Sequence, residues 1–310
     1  MSHPNATLVA DAAPYYQGQH DQAAAAPRGD EGTMGYEAYV GRTETREDTV
    51  WPLLIRGLAA TLDLDPAEVA PGGALPPLWH WMLFQDWVPA HGLGPDGHPR
   101  RGGFLPPVHD LPRRMWAGGR LEFPGTLRQD ERASRSSTIL KVEEKRGGSG
   151  RLVFVTVRHD IAGPGGLAIR EEQDIVYRGT EGEAVKPAAP APAAPGAWSR
   201  TVQGDPVLLF RYSALTGNGH RIHYDLDYVT REEGYPGLIV HGPLQATWLA
   251  DLVRRHRPDA RIRHFSFRGR RPAFHQNELT LLGWEEGATI SLETRDHAGA
   301  VCMTAEAVLG

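Results

Sequence analysis

The order of elements along this 310-residue chain predicts an α+β fold built twice, each time as an antiparallel sheet set around one helix. Three observations carry that expectation. A Pro/Ala segment at 180–197, with Pro187, Pro190, Pro192 and Pro195 among alanines, divides the chain into two similar lengths. The halves then echo one another: Leu121-Glu122-Phe123-Pro124-Gly125 and the following Leu127-Arg128-Gln129-Asp130-Glu131 resemble Phe265-Ser266-Phe267-Arg268-Gly269 and Phe274-His275-Gln276-Asn277-Glu278. Finally, each half places one helical pattern ahead of a series of alternating strands.

Taken in order, residues 1–33 show no sustained period and read as a mobile arm, followed by an N-terminal domain over 34–179. Leu78 to Val88 has helical apolar spacing, and Thr138 to Val142, Leu152 to Ile161 and Leu167 to Tyr177 alternate as strands. The linker over 180–197 precedes a C-terminal domain over 198–310. There, Leu238-Ile239-Val240 reads as a short buried β segment. Leu244, Trp248 and Leu252 define one face of a helix near Leu244 to Arg255. Strands are expected near Arg261–Phe267, Glu278–Trp284, Thr289–Asp296 and Ala300–Val308. Two such sheets would pair edge to edge, removing exposed edges and leaving a ligand tunnel at the joint.

Chemistry concentrates in Arg211 to Leu244. Asn218 and His223 lie five residues apart where Gly217 and Gly219 permit a tight turn, an offset that lets both side chains face one pocket. Downstream, Gly242-Pro243 sits where a helix would begin, and the free N–H groups of such a start stabilise an oxyanion. A base beside an oxyanion donor points to chemistry next to a thioester or a similar carbonyl. Each residue also has a plainer reading: His223 as a structural histidine bonded to a carbonyl, Asn218 as a turn-former, Gly242 as a close-packing helix start.

The segment Thr216-Gly217-Asn218-Gly219-His220-Arg221-Ile222-His223, followed by Val240-His241-Gly242, resembles the signature of the MaoC-like enoyl-CoA hydratases. Asn218, His220 and Arg221 stand where that signature has Asp, Asn and Pro. The chain is most similar to the hydroxyacyl-thioester dehydratase type 2 and itaconyl-CoA/mesaconyl-CoA hydratase branch. The phrases that carry this are Val40-Gly41-Arg42, Pro76-Pro77-Leu78-Trp79-His80-Trp81, Arg113-Arg114-Met115-Trp116-Ala117-Gly118-Gly119 and Glu171-Glu172-Gln173-Asp174-Ile175-Val176-Tyr177. The resemblance implies two hot-dog domains in tandem, with the first lending pocket walls and the second carrying catalysis. It also implies reversible hydration of a 2-enoyl thioester, or dehydration of a 3-hydroxyacyl thioester, of coenzyme A or an acyl carrier protein.

In that frame His223 is the acid/base, Asn218 orients the water or hydroxyl, and Gly242 N–H is the oxyanion donor. An amide neither takes up nor gives up a proton usefully near neutral pH, so His223 is left as the motif's only proton carrier. Tyr224 and Asp225 fix the turn, His220 lines the entrance and His241 packs at the strand end. Arg268, Arg270 and Arg271 would hold the phosphates of coenzyme A or phosphopantetheine. Trp116, with Arg113, Arg114 and Arg120 nearby, would line the tunnel, and Tyr224 and His241 border the substrate. Two other readings are a specialised-metabolite dehydratase or cyclase on a carrier-bound intermediate, and an acyl-thioester-binding protein without catalysis.

With 33 basic and 38 acidic residues the chain has no charge footprint for nucleic acid or a membrane surface. One cysteine and fourteen histidines, without a recognisable ligand spacing, give no expectation of a metal or other cofactor beyond the substrate's own carrier. No long apolar run or leader pattern appears, so a cytoplasmic enzyme, possible as a homodimer, is expected.

Overall fold

The structure, a computed structural model, describes residues 35–65, 69, 71–147, 150–179 and 192–310. The expected arm over 1–33 and most of the linker lie outside the described residues. Residues 34–310 form one compact unit. Its first half runs β1 (Thr43–Thr49), α1 (Pro52–Thr61), β2 (Arg113–Glu122), β3 (Arg132–Gly147), β4 (Gly150–Gly163) and β5 (Gly166–Arg178). The second runs β6 (Trp198–Gln203), α2 (Pro206–Leu215), α3 (Leu226–Arg231), α4 (Gly242–His256), β7 (Ile262–Gly269), β8 (Glu278–Glu286), β9 (Thr289–Arg295) and β10 (Val301–Leu309).

All ten strands join one antiparallel sheet in the order β1-β3-β4-β5-β2-β7-β10-β9-β8-β6. That order is the same read from either end, because β1 to β5 correspond one by one to β6 to β10. The repeat seen in the sequence is therefore physical. Its two copies lie beside each other at the centre, where Leu121 of β2 faces Phe265 of β7.

In the second half the sheet curves around α4. Proline in the first turn presets the backbone, and Leu244, Trp248, Leu249, Leu252 and Val253 are all buried against the strands. Arg254, Arg255 and His256 occupy the last turn, where the helix dipole favours cations. Each large apolar side chain so buried stabilises the fold by about 1.5–3 kcal/mol on area grounds.

Among the described residues, the first half has no helix in the corresponding place. The helix expected over Leu78 to Val88 is only a 3-10 turn, Trp79–Met82. Leu78 at φ 72° and Phe84 at φ 58° bracket it with left-handed backbone, which a continuing helix cannot contain. Leu78, Trp79, Met82, Leu83 and Phe84 are nevertheless buried. The apolar spacing thus recorded burial of an irregular segment rather than a helical face. Likewise Leu238 to Val240 makes only an isolated bridge, Ile239 to Phe274. Strands β1, β2 and β6 were not read from sequence, since charged or glycine-rich stretches such as Thr43–Thr49 and Arg113–Glu122 lack clean alternation.

The joint between β2 and β7 depends on glycine. A Cβ on Gly118 would come 2.5 Å from the Phe267 carbonyl oxygen, and one on Gly119 3.0 Å from the Phe267 ring. A register shift between Trp116 and Gly118 turns the strand at this point. Gly118→Ala should therefore lower stability by about 2 kcal/mol or more, read as a urea midpoint, because the obstacle is backbone. Gly165→Ala, whose Cβ would meet nothing within 4 Å, should leave the midpoint nearly unchanged.

Candidate active site

Helix α2 delivers the chain to the site. Asp205 caps it by accepting from the N–H groups of Val207 and Leu208, and Tyr212 and Ser213 are buried in its last turns. The chain then reverses at Gly217, with φ 61°, and the Asn218 N–H donates to the Ser213 carbonyl at 2.9 Å. Asn218 Oδ1 accepts from the His220 N–H at 3.1 Å. This is an Asx turn, so the turn-forming reading of Asn218 holds. Its oxygen is committed locally, which leaves the amide NH2 as the outward donor.

A 3-10 turn over Arg221–His223 follows, and His223 is buried. Its Nδ1 lies 2.7 Å from the Ile239 carbonyl, which fixes that nitrogen as the protonated donor and leaves Nε2 with its lone pair. Burial pushes the imidazole down to about 4, against the pull of the Ile239 carbonyl; nearby His98 lowers it further. The His223 ring stacks on His241 at 3.6 Å between centroids and 19° between planes. His241 Nε2 in turn lies 2.9 Å from Ser213 Oγ. Thus His241 holds the orientation of His223 from behind. Gly242 opens α4 directly after it, and a Cβ there would meet only Met303 Cε at 3.8 Å. First-turn N–H groups have no partner within their helix, so the Gly242 N–H is of the type expected of an oxyanion donor.

The first half contributes a loop to this turn. Leu93 and Pro99 form a small bridge, and Asp96 Oδ2 lies 3.1 Å from His98 Nδ1. The ring of His98 sits 4.2 Å from that of His220, whose ring meets His223 edge-on at 5.8 Å. The Arg221 N–H donates to the Asp96 carbonyl at 2.9 Å. Burial pushes His98 and His220 down, so the row is a series of uncharged rings. Asp96, His98 and His220 bring ligand atoms within 4.8 Å of one another, a spacing compatible with one cation. Sequence gave no sign of this set because its members come from different halves.

A cavity of about 180 Å³ lies between the halves. Asn218, Tyr212 and Pro243 line it from the second half, and Trp116 and Trp81 from the first. Its far wall is polar. Ser137, His159 and Glu171 form one row across β3, β4 and β5. Glu171, buried, accepts from His80 Nε2 at 3.0 Å, Trp81 Nε1 at 2.9 Å and Gln173 Nε2 at 3.1 Å. Hydrogen bonds from His80 and Trp81 hold its carboxyl below the usual range despite burial. His159 bonds Ser137 at 2.8 Å and is pushed by burial down to about 4. Sequence patterning does not mark these residues for chemistry; the usable signal is a histidine and a glutamate at inward positions of buried segments.

Of the other sequence candidates, Trp116 shares the cavity with Asn218. Tyr224 is half-exposed and donates to the Gly219 carbonyl at 2.9 Å, so it braces the turn. The arginine cluster is not brought to this cavity. Phe265 and Phe267 of β7 pack into the α4 core, so the alternate Arg268 faces the other side of the sheet. Arg268 and Arg270 line a separate depression there, and Arg270 donates to Thr304 Oγ1 at 3.2 Å. Arg271 follows just beyond β7, its N–H donating to the Cys302 carbonyl at 3.2 Å. Arg120 lies on that outer face too, paired with Glu172 and Asp174, while Arg113 bonds Glu233.

With this geometry in view, residues 78–275 match the family "Hydroxyacyl-thioester dehydratase type 2". The chain belongs to this family. A relative named mesaconyl-C(4)-CoA hydratase, from Chloroflexus aurantiacus, is 46% identical over 285 residues, covering 88% of this chain and 97% of its own length. Among solved structures, a MaoC-like dehydratase from Phytophthora capsici aligns with TM-score 0.65 at 16% identity, over 89% of this chain and 97% of that one. A Mycobacterium tuberculosis protein with a double hot-dog fold aligns with TM-score 0.53 at 14% identity, over 87% and 96%. The fold of this dehydratase-family chain is accordingly a double hot-dog, and its class is that of the hydro-lyases. Among the described residues no helix is long and apolar enough to cross a membrane.

The buried histidines predict acid sensitivity. His159 and His223 titrate near 4 when folded against 6.5 as the unperturbed value, so the unfolded chain binds protons first. Their contribution is complete above about pH 6.5 and is lost as pH falls toward 4, on the order of 2 kcal/mol for each by pH 5. Urea midpoints at pH 7.5 and pH 5.0 should show a clear drop, and the double replacement by Gln should flatten it.

Proposed function

We propose that this protein hydrates the double bond of a 2-enoyl-CoA thioester, and catalyses the reverse dehydration, with His223 as the sole proton carrier. The observation that supports it most is the tautomer of His223. Its Nδ1–H is committed to the Ile239 carbonyl, so Nε2 is an uncharged base throughout the physiological range. The mesaconyl-C(4)-CoA hydratase relative supports coenzyme A as the carrier.

In the hydration direction, the Asn218 amide orients a water molecule. Nε2 of His223 takes a proton from it as the oxygen bonds to the β-carbon. The electron pair of the double bond moves toward the thioester oxygen, where the Gly242 N–H receives the developing charge. The imidazolium then returns the proton to the α-carbon on the same face. Water is consumed and the enzyme is restored, so Asn218 needs to donate a hydrogen bond only.

His223→Ala should lower kcat/KM on crotonyl-CoA and mesaconyl-CoA by about 10²–10⁴-fold while circular dichroism stays unchanged. Near-equal turnover would remove the assignment. In the wild type, kcat/KM should stay level from pH 8 to about pH 5 and fall with a midpoint near 4, since protonation of His223 abolishes the base. An acid limb centred near 6.5 would place the essential base elsewhere. Asn218→Ala should lower kcat more than Asn218→Asp, because only the latter keeps the Asx turn.

A further inference from the structure

Asp96, His98 and His220 take no part in the proposed hydration, yet they meet where the first-half loop rests on the turn that carries Asn218 and His223. Two short backbone reversals hold them. In the first, the Gly94 N–H donates to the His98 carbonyl at 2.7 Å and the Gly97 N–H to the Gly94 carbonyl at 3.1 Å, which sets Asp96 and His98 on one small loop. Asp96 Oδ1 also accepts from the His98 N–H at 3.1 Å. In the second, the Asx turn at Asn218 fixes the backbone of His220. The reversals are in backbone contact: neither Gly97 nor Gly219 has room for a Cβ, and the Arg221 N–H donates to the Asp96 carbonyl.

The atoms so gathered suit a transition-metal cation. His98 Nδ1 and Asp96 Oδ2 stand 3.1 Å apart, close to the roughly 3.3 Å between two ligands on one tetrahedral ion. All three residues offer ligand atoms within 4.8 Å of one another, so the largest gap to close is about 1.5 Å. Among the described residues, neither ring nitrogen of His220 nor Nε2 of His98 makes a hydrogen bond, which leaves lone pairs for ligation. Burial keeps both imidazoles uncharged, the form that binds metal. Burial alone would raise Asp96, but hydrogen bonds from His98 hold its carboxyl below the usual range. Arg114 and Arg101 lie near enough to lower His98 further, and they oppose a cation held by charge alone. Nitrogen ligation therefore has to supply the affinity, which favours Zn²⁺ and its neighbours over Mg²⁺ or Ca²⁺.

We propose that Asp96, His98 and His220 bind one divalent cation of the Zn²⁺ type, which fastens the first-half loop to the turn carrying Asn218 and His223. The site does not rest on the hydration reading. Its test needs no thioester, and its failure leaves the His223 mechanism standing.

Full-length protein, stripped with a chelator and dialysed, is titrated with Zn²⁺ by calorimetry and with Co²⁺ by visible absorbance. One equivalent of Zn²⁺ should bind with a Kd of roughly 1 µM or tighter, and Co²⁺ should develop the bands of nitrogen ligation. Excess Mg²⁺ should not compete. His98→Gln and His220→Asn should each weaken Zn²⁺ binding by about a hundredfold, whereas His297→Gln, an exposed change in the turn before β10, should leave it unchanged. Amide exchange over residues 94–98 and 219–223 should slow when Zn²⁺ is added to the wild type. A wild-type protein that binds no Zn²⁺ in this range would overturn the site even if a variant fails to fold, as would binding that survives in both His98→Gln and His220→Asn, or equal binding of Mg²⁺. Binding without slower exchange would overturn the fastening role.

Discussion

The pairing of β2 with β7 is the interaction on which the rest of this molecule depends. It turns two five-stranded sheets into one of ten and places the repeated Leu121 and Phe265 segments face to face. Close approach requires Gly118 and Gly119, and the irregularity beside them turns Trp116 inward against Trp81 and Phe267. Edge strands that would otherwise expose unpaired backbone are satisfied by each other. The Asn218–His223 turn and the cavity beside it meet because this joint brings first-half strands against the second-half turn.

The two halves share a strand plan but fill it differently. In the second, α4 occupies the hollow of the sheet with Leu244, Trp248 and Leu252. In the first, an irregular buried segment around the Trp79–Met82 turn stands there, and the cavity lies beside it. A row of polar residues across β3 to β5 then becomes tolerable, because Ser137, His159 and Glu171 find partners among themselves and in the Trp79–Met82 turn. Loss of a helix in one copy and loss of freedom in the other are thus two sides of one division of labour.

Much of this was legible in the sequence. The internal repeat, strands β7 to β10 and helix α4 follow from periodicity, because their apolar faces pack against a continuous core. Gly217, Asn218, His223 and Gly242 were legible because they fall within one short stretch of chain. What stayed hidden depends on distance along the chain. Asp96 and His98 reach His220 from more than a hundred residues away, and Arg135 joins Asn218 only through the sheet joint. The placement of the arginines after Phe267 was hidden for a related reason: a local cluster of charge says nothing about which side of a strand it occupies until the register is set.

The contact between Gly97 and Gly219 has a wider consequence. A Cβ on either glycine would collide with the backbone of the other, so the loop of one half rests on the Asn218–His223 turn of the other with no side chain between them. The donated Arg221 N–H to Asp96 ties the same two backbones. The two repeated halves are therefore not interchangeable at this contact. A side chain at either glycine would push the two backbones apart, so this contact constrains the sequence of both halves at once.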